Sequence, residues 1–361
     1  MALGQQMNVE RILTRVAEYK ASDLHLTVGM PPVLRVDGKL VTLTDEETVT
    51  PEFMESVLEQ LMSDEQRATL AKDRGVLFTF DFGNKARFKV NVFYQRGYPS
   101  ASLRFIPPEI RSVAELGLPA VVESFARCKK GLVIVSGSYG SGRSATLTAL
   151  VNTINQERAE HIVSIENPIE YVYVNTKSVI EQREVGRDAP SFAAALKNIY
   201  QEDANVVVIS ELETPEVIEQ ALRIAATGRL VLTCMDMETA VQTIEKILSS
   251  FPTERQEQIR IELSECLQGV VVQRLLPRIG GGSVVIAEVL TVTPAIRSVI
   301  RDGAIYQVQT ILQTSREEGM VAFDRSLADR VKTGEVLQDE AMKYATDQNT
   351  LRLMLRPLPE R

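Results

Sequence analysis

Gly137-Ser138-Tyr139-Gly140-Ser141-Gly142-Arg143-Ser144 follows the apolar run LVIVS and opens the stretch SATLTALVNTIN. An apolar strand that runs through closely spaced glycines into a helix is a backbone suited to holding phosphate. Glycines adopt the left-handed conformations that turn successive N–H groups toward one point, and the helix N-terminus adds the positive end of its dipole. Ser144 stands where a hydroxyl ligates Mg²⁺, and a single position breaks the G-x-x-x-x-G-K-[ST] rule, Arg143 in place of lysine. Lysine would deliver a compact ammonium, whereas arginine carries its charge in a bulkier planar fork, so the two are not interchangeable. The loop is read as a nucleotide-binding loop, and its altered cation leaves normal catalysis open.

Outward from this loop, the strands LVIVS, HIVSI, VVVIS and RLVLTCM are nearly all apolar and are separated by helical stretches. That alternation predicts a mostly parallel sheet buried on both faces. From Leu275 a hairpin is expected, LLPRI and SVVIAEVL joined by Gly280-Gly281-Gly282, and from about Pro294 the chain reads as helical. Before the loop the grammar is different. Val9, Ile12, Leu13, Val16 and Ala17 recur at helical spacing, then LHLTV, VLRVDG and KLVTL read as short strands. A helix is expected over residues 51–71, followed by VLFTFDF, ARFKVNVFYQ and SASLRFI as mostly antiparallel strands. Pro107-Pro108 is a stiff, extended break. The expected organisation is an α+β domain over 1–106, a linker over 107–116, an α/β P-loop core over 117–293 and a helical region over 294–361.

Composition removes several function classes. With 44% apolar and 24% charged residues the chain is of ordinary globular type. No run approaches the ~18 apolar residues of a membrane span, and MALGQQMNVERIL lacks the layout of a secretory signal. A formal charge of −8 argues against broad nucleic-acid binding. Cys128, Cys234 and Cys266 are widely spaced and form no C-x-x-C pair, and His25 and His161 are the only histidines, so a cysteine- or histidine-built metal site is not supported. His25, on an apolar strand, reads as a packed residue.

Further segments carry a family resemblance: ASDLHL at 21–26, Pro31-Pro32, ARFKVN at 86–91, SIENPIE at 164–170, EQREVGRD at 181–188, LSECLQGVVVQRLL at 263–276, PAIRSVIRDG at 294–303 and GMVAFD at 319–324. In order and spacing they resemble the PilT family of type IV pilus retraction ATPases, from about residue 8 to 345. The resemblance implies a PAS-like N-terminal domain, a flexible linker and a RecA-like motor core. It implies ATP and Mg²⁺ as ligands, a homo-hexameric ring in the cytoplasm that can work beside a paralogous retraction ATPase, and an inner-membrane pilus platform protein as partner. The zinc-binding cysteine cluster usual in assembly-type motors is missing.

Carried over position by position, the resemblance assigns Gly137, Gly140, Ser141, Gly142, Arg143, Ser144 and Ala145 to the nucleotide phosphates. It makes Glu166 the general base for water, Glu170 the second acidic residue of that box, and Glu211 the acid near Mg²⁺ together with Ser144. Arg87 and Arg104 match arginines that reach phosphate in trans; strand arginines also commonly pair with surface acids. Arg297 and Arg301 read equally well as a solvated face or as part of the C-terminal element. Several positions depart from the family pattern. Asn167 stands for aspartate, Ser210 for glycine, Glu213 for arginine and Thr214 for aspartate. After RLVLTCM, Asp236 occupies the place of a histidine near the γ-phosphate, with Thr233 at a glycine position and Arg229 at another histidine position. A carboxylate facing phosphate repels it unless a cation intervenes, and Arg143 or Arg229 could supply one. Weak or partner-dependent hydrolysis, a rewired active ATPase and a non-enzymatic ring protein therefore all remain open at the level of sequence.

Overall fold

A computed structural model describes residues 8–83 and 86–356. The chain divides into two units, Met1–Glu109 with Pro168–Tyr171, and Ile110–Asn167 with Val172–Arg361.

In the first unit, α1 (Val9–Glu18) is capped by Asn8 and buries Val9, Ile12, Leu13 and Val16. Strands β1 (Asp23–Thr27), β2 (Val33–Val36) and β3 (Lys39–Thr42) match the expected short strands. The expected single helix over 51–71 is two, α2 (Pro51–Leu61) and α3 (Asp64–Asp73). Ser63 and Gln66 form a reciprocal capping box, which satisfies two of the N–H groups that a new helix start leaves free. Strands β4 (Gly75–Phe82), β5 (Ala86–Gln95) and β6 (Tyr98–Ile106) complete an antiparallel sheet in the order β3-β2-β1-β6-β5-β4. Along β5, Phe88, Val90 and Val92 are buried while the residues between them are not, the two-residue period of a sheet with one covered face.

The second unit begins with a short helix α4 (Val121–Ser124) and then β7 (Gly131–Ser136), buried at every position. Next come α5 (Arg143–Glu157), β8 (His161–Glu166), β9 (Val179–Glu184), α6 (Phe192–Asn198), β10 (Val206–Ile209), α7 (Pro215–Ala226), β11 (Leu230–Met235), α8 (Ala240–Ser249) and α9 (Thr253–Cys266). The hairpin β12 (Leu267–Pro277) and β13 (Ser283–Thr291) closes a seven-stranded sheet in the order β13-β12-β7-β11-β10-β8-β9, parallel except for β13. Successive residues of β7 feed opposite cores. Leu132 and Ile134 join the core containing Ile218, Leu222 and Ile259, while Val133 and Val135 join that containing Leu147, Leu150 and Ile154 of α5. Burial on both faces is what the continuous apolar runs require.

The hairpin is longer than expected, because β12 starts at Leu267 rather than near Leu275. Edge strand β9, VIEQRE, has no apolar run to announce it. After the hairpin come α10 (Pro294–Asp302), α11 (Val308–Thr314), α12 (Phe323–Lys332), α13 (Gln338–Tyr344) and α14 (Gln348–Leu355), as the helical reading of this region expected. Phe323, Leu327, Val336 and Leu351 pack there on Leu276, Val284 and Ile286 of the hairpin. Among the described residues no helix is long and apolar enough to cross a membrane.

Candidate nucleotide-binding site

Parallel strands that end at one edge place their following residues side by side, and in open α/β sheets that edge is where ligands bind. Ser136 of β7 is in register with Met235 of β11 and Val272 of β12, and Ile209 of β10 with Thr233 and Ile165. The segments that start at Gly137, Glu166, Ser210 and Asp236 therefore leave the same edge.

The loop after β7 has the backbone of a phosphate cradle. Gly137, Gly140 and Gly142 take φ of 149°, 81° and 93°, and Gly142 is the N-cap of the 15-residue α5. At Gly137 a Cβ would lie 2.3 Å from the Gln273 carbonyl oxygen and 2.4 Å from Ser141 Oγ. Only glycine fits so close an approach. Gln273, 3% exposed, braces the loop: its Nε2 donates to the Ser141 carbonyl at 2.7 Å and its Oε1 accepts from Thr146 Oγ1 at 2.7 Å.

Three polar atoms near this edge are buried without a hydrogen-bond partner among the described residues: Ser141 Oγ, Arg143 Nη1 and Thr233 Oγ1. Buried polar groups are normally satisfied, so the orphaned Ser141 hydroxyl and Arg143 N–H in a glycine cradle fit an anionic ligand. Arg143, its side chain 13% exposed, has Nη2 3.7 Å from Glu211 Oε1. Ser144 is exposed at the start of α5, beside Ala145.

Glu166 ends β8, and its Oε1 accepts from Ser164 Oγ at 2.7 Å and from Gln182 Nε2 at 2.9 Å. Two donors on one oxygen fix the orientation of the carboxylate. Glu170 groups with the first unit, where Lys89 Nζ lies 2.8 Å from it. The departures near Glu211 have local uses. Ser210 Oγ accepts from the Asn167 N–H at 3.3 Å, tying the ends of β8 and β10 together, and Thr214 caps α7 through the Val217 N–H. Glu213 is exposed, as is Asp236 directly after β11.

Arg229 does not reach this edge. It precedes β11, with Nε donating to the Ala204 carbonyl at 3.0 Å and its guanidinium 5.5 Å from the Tyr200 ring centroid. Seven residue steps along the extended chain, at ~3.3 Å each, put it roughly 23 Å from Asp236. The expectation that Arg229 could shield Asp236 is therefore corrected, and Arg143 remains. Arg87 bonds Thr79 Oγ1 at 2.8 Å and sits 3.2 Å from Asp81, while Arg104 Nε donates to Asp23 Oδ1 at 2.9 Å, all within the first unit. Arg297 Nη1 donates to the Ser264 and Glu265 carbonyls at the end of α9, a helix-capping use. Arg301 is exposed. A cavity of about 200 Å³ lies apart from the loop, lined by residues such as Leu312, Met320, Phe323 and Met354. Among the described residues no cluster of three or more His, Cys, Asp or Glu could hold a metal by itself. A Mg²⁺ held mainly by phosphate, a hydroxyl and water does not require one.

Gln182, Ser164 and Gln273 were not singled out from sequence. The one available signal was a glutamine inside the apolar strand VVVQRLL.

Comparison with known proteins gives concordant results. The family model described as Type II/IV secretion system protein matches residues 5–281. The chain is 34% identical to the type IV pilus ATPase PilU of Pseudomonas aeruginosa over 97% of its length and 92% of that protein's. It is 35% identical to the type IV pilus retraction ATPase PilT of the same organism, over 94% of this chain and 98% of PilT. A crystal structure of the pilus retraction motor PilT with bound ADP superposes with a TM-score of 0.84 at 40% identity, covering 96% of this chain and all of that one. The α+β first unit and RecA-like second unit are thus the fold of that motor.

Proposed function

The chain belongs to the Type II/IV secretion system protein family, in the group of the PilT-type pilus retraction ATPases, and from that premise we propose that it is a retraction-motor subunit that binds Mg-ATP and hydrolyses it weakly or only beside a competent partner motor. In this reading the backbone N–H groups of Gly137 to Ala145, with Ser141 Oγ and the Arg143 fork, hold the phosphates. Ser144 and Glu211 hold Mg²⁺, which when bound offsets charge on the phosphate oxygens. Glu166, steadied by Ser164 and Gln182, accepts a proton from water. Arg87 and Arg104 act on the neighbouring subunit's nucleotide in a homo-hexameric ring. The ring works in the cytoplasm against the inner-membrane pilus platform, with no nucleic acid involved.

The observation that carries the reading of weak hydrolysis is the pairing of Arg143 with Glu211. The cation meant for phosphate and the acid meant for the metal lie 3.7 Å apart, so each offsets part of the charge the other would offer a nucleotide. Asp236 on the same edge adds negative charge where phosphate would sit. The experiment is calorimetric titration with Mg-ADP and Mg-ATP beside steady-state hydrolysis. Binding without appreciable turnover supports the proposal, and absence of binding would favour a ring protein that kept the fold for assembly alone.

A further inference from the structure

Glu288 lies within β13 and is 2% exposed. It sits opposite Val272, next to the pair formed by Ala287 and Gln273, the residue that braces the phosphate loop. Its Oε1 accepts from the Ala240 N–H at 2.8 Å. Ala240 is the first residue of α8, the helix that follows Asp236 after a short turn. One turn into α8, Thr243 Oγ1 is 2.9 Å from Ser136 Oγ, and both residues are fully buried. Ser136 is the last residue of β7, from which the phosphate loop springs.

A continuous set of contacts thus runs from β13 through the start of α8 to the base of the loop. We propose that Glu288 is a positioning residue for the candidate nucleotide site, holding the first turn of α8 and, through Thr243 and Ser136, the phosphate loop. An acceptor aimed at a helix's first N–H groups satisfies donors that otherwise have no partner. Burial, with a smaller push from Asp324 of α12, raises this carboxyl to about 7 against the pull of the Ala240 N–H. A group so costly to ionise is retained where an apolar residue of the same volume would pack, as an acceptor role requires. Among the described residues of the neighbouring elements, Asp324 is the charged group that acts on this carboxyl. Arg274 of β12 bonds Glu238 at 2.6 Å, and α12 contributes Ser326 Oγ, which accepts from the Ala287 N–H at 3.1 Å.

The geometry does not depend on nucleotide binding, but its consequence for affinity rests on the function proposed above. The test therefore starts with hydrogen exchange on the nucleotide-free protein, reading amides over 137–146 and 236–243. Glu288→Leu keeps the volume and loses the acceptor, and should speed exchange in both segments by about tenfold, as expected for a buried N–H left unpaired. Glu288→Gln keeps an acceptor and should stay close to the wild type. Thr243→Val cuts the link to Ser136 and should open 137–146 on its own, which keeps the test alive if the leucine variant does not fold. Leu351→Ala, a buried change among the C-terminal helices, is the control for general loss of stability and should leave both segments protected. Mg-ADP affinity should follow the same order. Unchanged exchange in folded Glu288→Leu or Thr243→Val would overturn the proposal, as would glutamine failing like leucine or the control opening the same segments. If exchange behaves as expected but the wild type binds no Mg-ADP, the nucleotide-binding reading falls and the positioning role stands.

Discussion

The ends of β7 and β11 are neighbours in one sheet, Ser136 in register with Met235, yet the residues that follow them offer a phosphate opposite things. After β7 the glycine frame is intact, down to a position where any side chain would strike the Gln273 backbone. After β11 the chain presents an exposed Asp236, at the position where the sequence resemblance led us to expect a histidine. One strand end still has the shape for phosphate, and the other carries the wrong charge for it. Backbone geometry and charge at a site are thus separable: hydrogen-bond directions are set by φ and ψ, while transition-state stabilisation depends on where charge sits.

The largest expected effect breaks the β7 side. Gly137→Ala puts a methyl 2.3 Å from a carbonyl oxygen and should displace the loop at a cost of about 3 kcal/mol, roughly a hundredfold in Mg-ADP affinity by calorimetry. A second prediction probes the hairpin behind both strand ends. The Glu288 carboxyl is raised in the folded state from its ordinary 4.5 to about 7. The stability it contributes is full below pH 4.5 and lost as pH rises to about 7, a change of about 3 kcal/mol that denaturant melts should record and Glu288→Gln should remove. Repairing the β11 side comes next. Arg143→Lys with Asp236→His should raise ATP turnover by about tenfold or more over the wild type, equivalent to ~1.4 kcal/mol off the barrier. The smallest effect is expected from Gln273→Leu, which strands the Ser141 carbonyl and Thr146 hydroxyl and should weaken Mg-ADP binding by severalfold to about tenfold.

Much of this comparison was legible in the sequence. The glycine spacing between an apolar run and a helix gave the cradle, and the four apolar runs gave the strands of the parallel core. What escaped the reading was set by partners distant along the chain. Strand β9 is polar at most positions because it sits at a sheet edge, so periodicity alone could not find it, and Gln182 was lost with it. Gln273 faces the loop only because β12 pairs with β7, a neighbour relation that local sequence does not encode. The break between α2 and α3 was readable from Ser63 and Gln66, three residues apart, at the start of the polar run over 63–67. Arg229 was misplaced for a simpler reason. It stands close to Asp236 in sequence, but a strand between them carries them to opposite ends of the sheet.

The most direct test of a frame kept while its charges changed is paired measurement on the purified wild type, Mg-ATP affinity by calorimetry and steady-state hydrolysis under the same conditions. Affinity in the micromolar range with turnover below about 0.1 s⁻¹ is the expected result, against the roughly 1–10³ s⁻¹ of typical enzymes. Turnover of several per second by this chain alone would contradict it, because the Arg143–Glu211 pair and Asp236 would then have to belong to a working catalytic site.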